Sequence, residues 1–155
     1  MRLSPNFTVE EFIKSDTAER KSLDNSIRDH NIFDNAVNLA ENILQPVRDK
    51  FGATFIRSGY RSIELNKLIG GASTSQHTLG QAADIEVSSA SNYELACWIR
   101  DNLEFDQLIL EFYTQGKPSS GWVHVSYRAD GKNRNGCLTA SKTISGTKYI
   151  VSLVP

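Results

Sequence analysis

The chain has 155 residues, 39% of them hydrophobic and 23% charged, which suits one globular domain around one core; two domains of half that length would each be marginal. A net charge of -1, a sequence pI near 6.3 and scattered Lys and Arg residues leave no basic stripe for nucleic acid. No segment approaches the roughly 18 apolar residues of a membrane span, and the opening MRLSPNFTVEEF has no apolar run of signal-peptide length, so the expectation is a protein synthesised in a cytoplasm and delivered by other means to any outside target.

In chain order, Thr8 and Glu11 ahead of Phe12 and Ile13 predict a capping box opening a short helix, and polar residues 17–30 predict a loop with a helical turn or two. From Ile32 to Lys50, Phe33, Ala36, Val37, Ala40, Ile43, Leu44 and Val47 recur at helical spacing and form one core-facing stripe. Pro46 is expected to kink the end of this helix and Gly52 to stop it.

Ala53 to Ser58 reads as a strand entering a turn at Gly59, followed by a helix from Ser62 to Leu68 that stops at Gly70 and Gly71. Ala82 to Val87 alternates, with Ala83, Ile85 and Val87 on one face and Asp84 and Glu86 on the other. A helix from about Asn92 to Asn102 follows, then strands Asp106 to Phe112 and Gly121 to Tyr127. A last hairpin, Leu138 to Ile144 and Lys148 to Leu153, turns at Ser145-Gly146. Early helices and late strands predict an α+β domain spanning 1–155, with a small central antiparallel sheet and helices supplied mainly by the N-terminal half. Cys97 and Cys137 lie in no paired spacing and read as reduced thiols, with a disulfide as the other option.

Three histidines occur, and two lie where an acid can join them. His77 sits in a glycine- and serine-rich loop, Asp84 on the polar face of the strand that follows, and His124 on the same side of its strand as Trp122 and Ser126. If those strands are neighbours, two imidazoles and a carboxylate form a three-ligand zinc site with a fourth position left for water, the pattern of catalytic zinc. Taken by spacing alone, His77 and His124 are equally readable as structural histidines.

The runs Ser58-Gly59-Tyr60-Arg61-Ser62, Ser75-Gln76-His77-Thr78-Leu79-Gly80-Gln81-Ala82-Ala83-Asp84 and Trp122-Val123-His124-Val125-Ser126 resemble the D-alanyl-D-alanine carboxypeptidase family of zinc peptidases, in matching order over about residues 4 to 127. The segment F-D-Q-L-I-L-E is similar to a strand of its phage endolysin-like branch. The resemblance implies a Hedgehog/DD-peptidase-like fold, Zn2+ as cofactor, His77, Asp84 and His124 as its ligands, and a stem or cross-link peptide of peptidoglycan as substrate, cut by carboxypeptidase or endopeptidase action on the cell wall; a monomer is the expectation for the oligomeric state. It implies that Arg61 binds substrate or the developing oxyanion, with a surface salt bridge as the other reading, and that Ser75 holds substrate, with a plain loop serine as the other.

One position departs from the family pattern. Many members carry an acid three residues before the last zinc-binding histidine, where it serves as general base; here that residue is Gly121. Glu111, at the end of the strand expected beside that of His124, is the substitute base, or else a structural hydrogen-bonding residue. Asp106 reads either as a partner of a zinc-bound histidine or as a strand-edge acid, and Gln107 is open. His30 reads as surface, while Trp122 and Tyr60 flank the expected cleft. The rival to a peptidase is a catalytically weak zinc-containing wall-binding or virion-structural module, for which the missing acid is the support.

Overall fold

A computed structural model describes all 155 residues. Strands β1 (Arg2–Ser4) and β2 (Phe7–Thr8) form a small hairpin that the sequence did not announce, since two- and three-residue strands have no readable alternation. Thr8 then caps α1 (Val9–Ile13), with the Thr8 hydroxyl accepting from the Glu11 amide and the Glu11 carboxylate accepting from the Thr8 amide. Helix α2 (Asp16–Arg20) follows, and His30, expected in a loop, is the first residue of α3 (His30–Leu39), capped by Asp29 and exposed to solvent.

The long amphipathic stretch is three pieces rather than one helix kinked at its end. Between α3 and α4 (Gln45–Phe51) residues Ala40–Leu44 form a wide π turn, closed by the Gln45 amide donating to the Ala40 carbonyl. Pro46 has no N–H to complete a regular turn, and the wide turn ends just ahead of it. Ala36, Leu39, Ala40, Ile43, Leu44 and Val47 are fully buried on one stripe, each large aliphatic side chain contributing roughly 1.5–3 kcal/mol by its burial. Gly52 ends the helix at φ 81°.

The sheet is larger than expected and is mixed. Six strands, β3 (Thr54–Ser58), β4 (Ala82–Val87), β5 (Gln107–Glu111), β6 (Trp122–Ser126), β7 (Gly136–Thr143) and β8 (Gly146–Val151), lie in the order β3-β4-β6-β5-β7-β8. All pairs are antiparallel except β5 with β7, which is parallel. The reason is where the chain returns. Ser126 ends β6 beside the start of β5, and residues 127–135 carry the chain past β5 to enter β7 from that same end, with Gly136 opposite Gln107. A strand entering from there runs with β5.

One face of the sheet, with Ala83, Ile85, Val87, Leu108, Leu110, Val123 and Val125, packs on α3, the π turn, α4 and α6 (Asn92–Asn102) to make the core. The other face carries Asp84, Ile109, Glu111, Trp122 and His124 in register, because Asp84 pairs with His124, His124 with Ile109, and Glu111 with Trp122. Cys97 and Cys137 are both free thiols. No helix is long and apolar enough to cross a membrane.

Candidate metal centre

Each of the three donors is held by a different local device. His77 sits on a 3₁₀ turn, Gln76–Leu79, whose first amides are capped by the Ser75 hydroxyl at 3.3 Å from the His77 amide. Gly80 closes that turn in the left-handed region at φ 70°, and a Cβ there would meet the Ile32 carbonyl at 2.7 Å, so a side chain is excluded twice. The His77 Nδ1–H donates to the Gly59 carbonyl at 2.7 Å, which turns Nε2 toward the acid. Gly59 in turn lies so close to Phe12 that an added Cβ would be 2.3 Å from its carbonyl oxygen.

Asp84 and His124 face each other across β4 and β6 as a directly opposed pair. Asp84 Oδ1 lies 3.0 Å from His124 Nδ1 and 3.4 Å from His77 Nε2, and the three donor atoms all lie within 4.8 Å of one another. Donors about 2.0–2.1 Å from a tetrahedral zinc are separated by roughly 3.3 Å, so both acid-to-imidazole edges fit that ion. Burial keeps the His77 imidazole on the neutral side of its ordinary range, the form that binds metal. Burial alone would raise Asp84, but its hydrogen bond with His124 and the nearness of His77 outweigh it and hold the carboxylate well below its usual range. Two imidazoles and one carboxylate, all nine-tenths or more buried, are a donor set suited to Zn2+.

The trio opens into a cleft of about 630 Å³ whose walls also include Arg61, Ser75, Gln107, Glu111 and Trp122. Arg61 is braced by its Nε donating to Ser58 Oγ at 3.0 Å, and its Nη2 lies 3.4 Å from the second oxygen of Asp84. Its backbone amide also donates to the His77 carbonyl at 3.1 Å. Ser75 both lines the cleft and caps the His77 turn. Glu111 is half-buried, and loss of water followed by the nearby charge of Asp84 pushes its carboxyl up to about 6.

Gly121 cannot be replaced by an acid. It stands at φ 64°, and a Cβ there would lie 1.9 Å from the Glu111 carbonyl oxygen. The tight turn that excludes a side chain at 121 is the one that brings the end of β5 alongside β6.

Other candidates fall elsewhere. Tyr60 does not line this cleft; its backbone is pinned from the far side by Asn25, whose Nδ2 donates to the Tyr60 carbonyl and whose Oδ1 accepts from the Ser62 amide at 2.7 Å. Asp106 touches neither histidine. It is buried and accepts from Arg134 Nε and Nη2, both at 2.9 Å, from the Arg134 amide and from Gln76 Nε2 at 3.0 Å. Asp106 thereby anchors the residue next to His77 to the start of β5.

Two features of the rim escaped sequence reasoning. The Trp122 Nε1 is buried with no hydrogen-bond partner. A row of stacked groups crosses the rim: Arg57 lies over the Trp122 ring at 5.0 Å, Trp122 meets Phe112 edge-on at 5.4 Å, and Lys142 of β7 lies over Phe112 at 5.5 Å. Its members are scattered from residue 57 to 142, so no local pattern could group them.

A search of curated proteins finds no match to this chain. The family model for Peptidase M15 matches residues 5–126, from the loop before β2 through the last residue of β6, and so takes in every donor of the trio and every strand that carries one. A match over well more than half of the chain, ending where the strand of the last donor ends, makes this protein a member of the peptidase M15 family of zinc-dependent peptidases.

Proposed function

We propose that this zinc peptidase hydrolyses a peptide bond in bacterial peptidoglycan, as a D-alanyl-type carboxypeptidase or as an endopeptidase of stem or cross-link peptides. The observation that carries the reading is geometric: the Glu111 carboxyl, raised to about 6 chiefly by burial, lines the same cleft as three buried donors suited to zinc. His77, Asp84 and His124 would hold the ion. When bound, zinc supplies polarisation of the scissile carbonyl and a water acidic enough to attack near neutral pH.

The remaining roles belong to the chain's own side chains. Glu111 takes one proton from the attacking water on a carboxylate oxygen and delivers it to the departing amine as the C–N bond breaks, so that water is consumed and one carboxylate and one amine are released. Arg61, braced by Ser58, presents fixed positive charge to the oxygen that gains electron density or to a substrate carboxylate. The Ser75 hydroxyl offers a polar contact to the peptide backbone. A phage lysis role, with synthesis in the bacterial cytoplasm and action on the wall, fits this chemistry.

Gly121 favours the second reading, a zinc-holding wall-binding or virion module of little activity, since the family's acid is missing there. Digestion of purified cell wall, read as new amine termini with and without chelator, separates the two. The peptidase releases amines only with metal, and Glu111→Gln lowers the rate by about 10²–10⁴-fold while keeping its zinc. Stoichiometric zinc without any cleavage by the wild-type protein sinks the enzymatic reading; near-normal activity in E111Q removes Glu111 as the base.

A further inference from the structure

The β7–β8 hairpin lies beyond the residues that match the family, yet it forms part of the wall of the catalytic cleft. Register shows how. Trp122 of β6 pairs with Glu111 of β5, Glu111 with Ala140 of β7, and Ala140 with Tyr149 of β8, so these four side chains stand in one row on the face that carries the metal donors. Tyr149 is 59% exposed despite its size and lines the same cleft as His77, Asp84 and His124. Lys142, on the same face of β7, is engaged on the Phe112 ring, which leaves Tyr149 as the hairpin's open contact toward the cleft.

Distance sets what Tyr149 can reach. Two strand spacings separate it from Glu111, about 10 Å, and an extended peptide covers that span in about three residues. A substrate cut beside Glu111 therefore meets the Tyr149 ring about three residues from the scissile bond, and a short substrate does not reach it.

We propose that Tyr149 is a specificity residue: an aromatic platform, supplied by the hairpin, that binds the part of a peptidoglycan stem about three residues from the cleaved bond and selects long stems over short peptides. The inference rests on the peptidoglycan reading above. An exposed tyrosine ring provides a large, rigid contact for the aliphatic and sugar faces of such a stem at small cost in side-chain entropy.

The test is calorimetric binding by zinc-loaded E111Q, in which the probe is not consumed, using an N-acetylmuramoyl pentapeptide ending in D-Ala-D-Ala and an amine-blocked D-Ala-D-Ala dipeptide. The pentapeptide is expected to bind at least tenfold more tightly than the dipeptide. Adding Tyr149→Ala removes most of that advantage and leaves dipeptide affinity unchanged, which also certifies the fold; Tyr149→Phe retains the advantage. Pentapeptide affinity within twofold of the parent in the Tyr149→Ala protein overturns the specificity role alone. If neither probe binds, the peptidoglycan reading falls and takes this inference with it.

Discussion

At the scale of single residues, Gly121 and Glu111 explain each other. A side chain at 121 would collide with the Glu111 backbone, so the turn that removes the usual acid also sets Glu111 at the cleft. Gly121→Ala is expected to destabilise the fold by at least about 1–3 kcal/mol in urea unfolding, from the positive φ and the clash together. Gly121→Asp should be no better, and a stable, more active aspartate variant would contradict the geometry. In its proposed role as the base, Glu111 also sets a pH limit. As a base it works ionised, and its carboxyl is raised to about 6 by burial and the Asp84 charge, while a bound cation draws it back down. The expected profile of kcat/KM falls with one proton as pH drops below about 6, with the limb at or below that value. A limb above pH 7 would assign it to a different group.

At the scale of elements, the site depends on how a 3₁₀ turn and two strand ends are tied together. Asp106 holds Gln76 on the His77 turn and Arg134 on the segment leading into β7. Burial tends to raise its carboxyl, but the Arg134 and Gln76 hydrogen bonds outweigh this and leave it below its ordinary value. A carboxyl lowered in the folded state stabilises above its unfolded pKa, near 4, and that contribution is lost as pH falls through the folded value. Arg134→Ala leaves the buried Asp106 short of donors and is expected to cost about 1–3 kcal/mol at pH 7. In denaturant titrations the deficit should begin to shrink below about pH 4, where the unfolded-state carboxyl takes up its proton, and fade as pH falls through the lower folded value; a deficit independent of pH would mean the Arg134 contribution is packing alone.

At the scale of the whole molecule, a metal that binds only the folded chain couples the trio to global stability. The three donors come from residues 77, 84 and 124, on separate elements, so unfolding disperses them. Free zinc at a hundred times its Kd should stabilise by about 2.7 kcal/mol, a rise of roughly 5–10 °C in Tm for a chain of this size. Chelator should reverse it, and His124→Ala should abolish the zinc response; an unchanged response in H124A would place the ion elsewhere. Much of this was legible in the order of residues. The alternation around Asp84 and His124, the capping box at Thr8 and the glycine-bounded His77 turn are local patterns, written within a few residues each. The pairings that need distant segments were not. Nothing local says that β7 runs parallel to β5, that Gly59 orients His77, that Asp106 grips Arg134, or that Tyr149 shares a row with Glu111. The sequence by itself determined which residues have the chemistry to hold zinc and which face of each strand they occupy, because side-chain type and the two-residue period are properties of short stretches. Tertiary structure was needed to show that Asp106 stays out of the cleft that Glu111 lines and how far that cleft extends, because register and strand order are set by packing between segments far apart in the chain.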